Sequence, residues 1–180
     1  MSKTSTQILD AAESMIREGG YYGFSFRQIA DQLAIKSASV HYHFPTKEAL
    51  AIAVAERYKE NFLNALGDPS RDEAVSHYAS LFRKALASDG RACLCGILAA
   101  ETGKIPDPLR ATLREFSDKN IAWIESAYQA RNPDWSAQKC HQAALALFSA
   151  LEGGITFAAL HDQADYLENV IQSLISLTTD

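Results

Sequence analysis

Apolar residues recur at three- and four-residue steps along nearly the whole chain, and no stretch alternates with the two-residue period of a half-buried strand. The pattern predicts an all-α protein of about nine helices. The first stripe is Ile8, Ala11, Ala12, Met15 and Ile16; Thr4 and Gln7 open it at capping-box spacing and Gly19-Gly20 stops it. A second capping box, Ser25 with Gln28, precedes Ile29, Ala30 and Leu33. After a short break at 34–36, residues 37–44 read as a helix of about two turns, ended by Pro45. Thr46 caps a fourth helix from 47 to about 66. Helical stretches follow at 71–87, 93–102, 108–131, 136 to about 161, and 164 to about 178, each separated by a Gly-, Pro- or Asp-containing break.

Length and composition narrow the class. With 180 residues, 47 % of them hydrophobic and 22 % charged, the chain can bury a core without disulfides or metals. No unbroken apolar run reaches the roughly 18 residues of a membrane span, and residues 1–7 lack the apolar stretch of a secretory signal. Three cysteines, an odd number, suit a reducing compartment. These features lead us to expect a cytoplasmic protein with no membrane partner and no cofactor.

The second and third helices carry the sharpest signal. Two short helices joined by a tight turn form a helix-turn-helix, in which the second helix enters the major groove and reads base edges. Val40 and Phe44, four apart, can face the core together, which leaves Ser37, Ser39, His41 and His43 on other faces. His41 and His43 do not suggest a metal site, because residues two apart on a helix diverge. No nucleophile–base pairing and no Gly-rich phosphate loop points to an enzyme.

Phe26-Arg27-Gln28-Ile29-Ala30, followed by the run from Ser39 through Phe44-Pro45-Thr46-Lys47 to Leu50, resembles the signature of the TetR family of bacterial repressors. Gly19, Gly23, Phe24 and Ser25 sit where that family carries its glycines and its hydroxyl residue. The resemblance is strong over about residues 5–55. It implies a DNA-binding domain at 1–47, a three-helix helix-turn-helix module, and a helical ligand-binding and dimerisation domain at 48–180. Double-stranded operator DNA, a small-molecule effector and a second copy of the chain are the implied partners. Ser25 and Arg27 would hold a phosphate at a helix N-terminus. Lys36, Ser37, Ala38, Ser39 and His41 would face the groove, Tyr42 and His43 would touch phosphates, and Lys47 would anchor the DNA backbone. Where the family usually has glycine this chain has Ala38, whose methyl could meet a thymine methyl.

The remaining helices supply two further sets. Leu147, Leu151, Ile155 and Ala158 form one stripe, and Leu167, Val170, Ile171, Leu174 and Leu177 form another. Paired between subunits they would build a four-helix bundle, with Gly153-Gly154 permitting close approach. Among the aromatic residues, Tyr78, Phe82, Phe116, Trp123 and Phe148 are the candidates for a mostly apolar ligand cavity. The segment Cys93-Leu94-Cys95-Gly96, continuing to Ala99-Ala100-Glu101, is similar to a branch of the family that includes the electrophile-responsive NemR type. Cys93 is therefore a candidate thiol sensor within the same ligand region; the alternative is a small buried hydrophobe. Zinc bound by the cysteines and His141 lacks a four-ligand spacing. A helical small-molecule carrier without DNA binding is the rival outside the family.

Net charge modifies this picture. A formal −5 runs against nucleic-acid binding when averaged over the chain. Residues 1–60, however, balance seven basic against seven acidic side chains, so the whole excess of acid lies beyond them. Between Asp31 and Lys47 there is no acidic residue. The expected DNA-binding face is narrow, locally basic and sensitive to salt.

Overall fold

The computed structural model describes residues 2–177, the last three of these as backbone only; Thr178 and the side chain of Leu177 fall outside that range. Among the described residues there are nine α-helices and no strand. They are α1 (Lys3–Gly19), α2 (Phe26–Gln32), α3 (Ser37–His43), α4 (Lys47–Leu66), α5 (Ala74–Asp89), α6 (Leu94–Ala100), α7 (Asp107–Arg131), α8 (Ala137–His161) and α9 (Ala164–Leu177). A 3-10 turn, Tyr21–Gly23, links α1 to α2.

Local chemistry explains most of the boundaries. The hydroxyl of Ser25 accepts the Gln28 amide N–H at 3.3 Å, and Ser136 does the same for Lys139 at 3.2 Å. Thr46 caps α4 through the Ala49 amide at 3.0 Å. Gly90, in the left-handed region at φ 70°, ends α5. Two starts differ from the sequence reading. The first helix is capped by Ser2, whose hydroxyl accepts from the Ser5 amide, so Thr4 lies inside it. The fifth begins at Ala74 rather than 71, because Asp68 holds Ser70 in a turn through its amide and hydroxyl at 2.9 and 2.8 Å.

The chain forms two compact units. The first comprises residues 1–60 and 94–114, and the second comprises 61–93 and 115–180. In the first, Ile8, Ala12 and Ile16 of α1, Ile29 of α2, Val40 of α3, and Leu50 and Val54 of α4 are completely buried. This core clamps α2 and α3 against α1 and fixes the outward face of α3. In the second, α8 packs along α9 and both contact α5. A Cβ added to Gly154 would stand 3.1 Å from Leu167 Cδ1 and 3.4 Å from Val170, so this glycine permits close approach of α9 in the same chain; Gly153 faces open space.

By length and composition, α8 is apolar enough to cross a membrane. The expectation that nothing in the chain could do so counted only unbroken apolar runs. Here α8 serves as a core helix of the second unit, with Cys140, Ala144, Leu147, Leu151 and Ile155 buried.

Candidate nucleic-acid interface and effector core

The helix-turn-helix is assembled from the inside. Val40 is fully buried and Phe44 nearly so, which rotates the opposite side of α3 into solvent. Lys36, Ser37, Ala38, His41 and Tyr42 are exposed there, and Tyr42 is 84 % exposed; Ser39 and His43 are half-buried at the edge. The His41 ring stands edge-on to Phe26 at 4.6 Å, and the Tyr42 and His43 rings meet at 5.2 Å. These contacts hold the three side chains in defined positions on a helix of only seven residues. Arg27 is exposed and pairs loosely with Asp31 at 3.9 Å. Ser25 completes its box by donating its hydroxyl proton to Gln28 Oε1 at 2.7 Å.

Lys47 is placed differently from its neighbours in the motif. Its ammonium turns inward, donates to the Phe24 carbonyl at 2.7 Å, and lies 5.0, 5.4 and 4.6 Å from the ring centres of Tyr21, Tyr22 and Phe24. Burial lowers its pKa, and the negative charge of Glu101 opposes that shift.

Glu101 is the residue that sequence reasoning missed. Its carboxylate accepts the Tyr21 amide N–H at 2.7 Å, across 80 positions of sequence. The Tyr22 hydroxyl donates to the Lys104 carbonyl at 3.0 Å beside it. Gly20, at φ 69° and ψ −165°, passes so close that a Cβ there would stand 2.5 Å from Glu101 Oε1. The signals existed separately: a Gly-Gly stop, and an Ala-Ala-Glu after a short helix. Nothing in either announces the other.

In the second unit the five candidate aromatic residues come together around a sixth, Phe62. Phe62 stands edge-on to Tyr78, Phe82 and Phe116 at 5.9, 5.6 and 5.5 Å. Trp123 stacks on Tyr78 at 5.8 Å, and Phe148 reaches Phe116 at 6.3 Å. Tyr78, Phe82 and Phe116 are fully buried, whereas Phe62, Trp123 and Phe148 keep part of their surface accessible. The Tyr78 hydroxyl donates to Asn120 Oδ1 at 2.9 Å, and Asn120 Nδ2 donates to the Phe116 carbonyl at 2.7 Å. Cys93 is 2 % exposed, and its thiol interacts with the Glu152 carboxyl. A groove of about 510 Å³, lined by Arg83, Leu86, Asp162, Leu167 and Glu168 among others, lies apart from the aromatic cluster and is crossed by the Arg83–Glu168 ion pair at 2.6 Å.

The two expected dimerisation stripes divide between inside and outside. Leu147, Leu151, Ile155, Ala158, Leu167 and Ile171 are buried in the chain's own packing of α8 on α9. Val170 and Leu174 are half-buried and line an open groove of about 380 Å³ with Ala150 and Tyr166. The outward apolar side chains on these helices are Leu145, Phe157, Leu160 and Tyr166, from 39 to 69 % exposed.

Comparison with known proteins agrees with this geometry. The family described as "Bacterial regulatory proteins, tetR family" matches residues 8–54. The HTH-type transcriptional regulator LmrA of Bacillus subtilis is 28 % identical over 157 residues, which cover 83 % of this chain and 82 % of LmrA. A TetR transcriptional regulator from Legionella pneumophila superposes with a TM-score of 0.91 at 28 % identity, over 98 % of each chain. The reduced form of Escherichia coli NemR shares the fold, with a TM-score of 0.72 at 18 % identity over 96 % of this chain and 95 % of that one.

Proposed function

We propose that the chain is a regulator of the TetR type, a dimeric repressor, acting in the cytoplasm, that leaves its operator when a small molecule enters the second unit. It is a DNA-binding transcriptional regulator and not an enzyme. The observation that carries the proposal is the outward face of α3, where Lys36, Ser37, Ala38, His41 and Tyr42 stand exposed on a helix anchored by buried Val40 and Phe44. Such a face fits a major groove. Ser25, Arg27, Tyr42 and His43 are proposed to meet phosphates, and Ser37, Ala38, Ser39 and His41 to meet base edges. Lys47 acts by fixing the Tyr21–Phe24 turn from within.

Selection from a random duplex pool should recover a palindrome whose two half-sites lie about one helical turn apart. Binding to it should weaken steeply with salt, and Arg27→Ala should reduce the slope of log affinity against log salt by about one. Tyr42→Ala should lower affinity while leaving the melting temperature unchanged, since the side chain is mostly in solvent. Failure to enrich any palindrome, or variants that bind like the parent, would count against the assignment.

The second copy is proposed to cover the outward apolar side of α8 and α9. An isologous contact there would bury Phe157, Leu160 and the groove beside Val170 and Leu174. Leu160→Glu should shift sedimentation from dimer towards monomer without loss of helicity; an unchanged sedimentation coefficient would move the interface elsewhere.

Cys93 as a thiol sensor is the less favoured reading of the same unit, because an electrophile would have to reach a side chain that is 2 % exposed.

A further inference from the structure

Among the described residues of the second unit, one buried carboxyl has no hydrogen bond from a nitrogen or oxygen. Both carboxyl oxygens of Glu152 are inaccessible to solvent and neither has a hydrogen-bonding nitrogen or oxygen, although the residue as a whole is only half-buried. Native proteins rarely leave such a group unmatched, and an exception calls for a partner that the chain does not supply. The Tyr78 hydroxyl, which lies within electrostatic reach of Glu152, is already committed to Asn120. The other titratable group facing Glu152 is the Cys93 thiol, a weak donor.

Glu152 lies one helical turn beyond Phe148 on α8, so both lie on one face. Phe148 leads through Phe116 to Phe62 and the rest of the aromatic cluster. Phe62, Trp123 and Phe148 retain accessible surface despite sitting within that cluster. A carboxylate supplies the charge that a cation needs, and aromatic faces add attraction for the same sign.

We propose that Glu152 is the recognition group for an organic cation, an amine or amidine whose N–H donors meet the orphan carboxylate and whose apolar body lies against Phe62, Trp123 and Phe148. The proposal rests on the reading of the second unit as the effector domain and names the class of effector. Burial, and to a lesser degree Cys93, raises the Glu152 pKa well above that of an ordinary carboxyl, which favours the neutral acid before a cation binds. When an alkylammonium enters, the carboxyl O–H bond breaks, its proton leaves to solvent, and the ion pair that remains is neutral as a whole. Affinity therefore rises with pH, by up to about tenfold per unit, while the free amine stays protonated and the free carboxyl does not ionise.

Calorimetric titration of the full chain with tryptamine, indole-3-propionate and indole-3-propionamide tests this. Tryptamine should bind more tightly than either analogue and should release about one proton, read from its heat in buffers of different ionisation enthalpy. Glu152→Gln should weaken tryptamine roughly tenfold or more and abolish both the proton release and the pH dependence. If that variant does not fold, proton release and pH dependence in the parent still decide. Tighter binding of indole-3-propionate, tryptamine binding without proton release, or no tryptamine binding at millimolar concentration would overturn the cation assignment. A separate gel shift on the selected palindrome keeps the two ideas apart. A cation that binds through Glu152 yet leaves the DNA complex intact would sink the effector reading and leave the site standing. Release of DNA by the anion or the amide alone would do the reverse.

Discussion

Gly20→Ala is expected to destabilise the protein by about 3 kcal/mol or more, far beyond an ordinary substitution in a turn. Two costs coincide at this position. At φ 69° and ψ −165° the backbone occupies a region that only glycine enters readily, worth about 1–3 kcal/mol of strain for any other residue. The new methyl would also stand 2.5 Å from Glu101 Oε1, so the carboxylate must withdraw. Its bond to the Tyr21 amide then breaks, a charged hydrogen bond of the kind worth about 1.5–3 kcal/mol. Glu101→Ala removes the same clamp from the other side. The two substitutions should therefore be non-additive, and the double variant should lose clearly less than the sum of the singles. Glu101→Gln can still accept the amide and should cost less than Glu101→Ala. Denaturant titrations at fixed protein concentration measure all four. Gly103→Ala, where nothing lies within 4 Å of the added methyl, is the control. A Gly20→Ala midpoint no lower than the control would show that the clamp contributes nothing.

That clamp also marks the limit of what the sequence makes legible. Helix ends are local events. Ser25, Thr46, Gly90 and Ser136 cap or stop their helices through bonds spanning only a few residues, so the residue types in order are enough to locate them. The exposed face of α3 was legible for a similar reason, since Val40 and Phe44 at a four-residue step can only define an inner side. Lys47 was not. A lysine at the start of a helix is equally suited to reach out to a phosphate or in to the Phe24 carbonyl, and the Tyr21–Phe24 rings and Glu101 that settle its direction come from other segments. The α8 and α9 stripes show the same limit. α8 is apolar on more than one side, so periodicity identifies the helix but does not say which stripe meets α9. Leu147, Leu151 and Ile155 turn inward, and Leu145, Phe157 and Leu160 turn out. The first unit also contains residues 94–114, a return of the chain that no linear pattern signals.

In the second unit, Asn120→Leu is expected to cost about 1–3 kcal/mol, and adding Tyr78→Phe should recover much of that loss. Asn120 is fully buried, accepts the Tyr78 hydroxyl at 2.9 Å and donates to the Phe116 carbonyl at 2.7 Å. Leucine keeps asparagine's branching at Cγ but is bulkier, so the substitution adds some overpacking to the chemical loss. It strands the Tyr78 hydroxyl, which is completely buried among Phe62, Phe82 and Trp123. Burial already raises the phenol's pKa well above its usual value, so it cannot escape the loss by ionising. Removing the hydroxyl as well leaves an apolar contact in place of a half-made hydrogen bond, and such a replacement can be nearly neutral. Tyr78→Phe alone should fall between the parent and Asn120→Leu. Unfolding midpoints with unchanged denaturant slopes would report these differences as stability. If the double variant is as unstable as the sum of the two single losses, the hydroxyl–amide bond is not what holds Tyr78 beside the aromatic cluster. Packing alone would then set the geometry on which the orphan position of Glu152 depends.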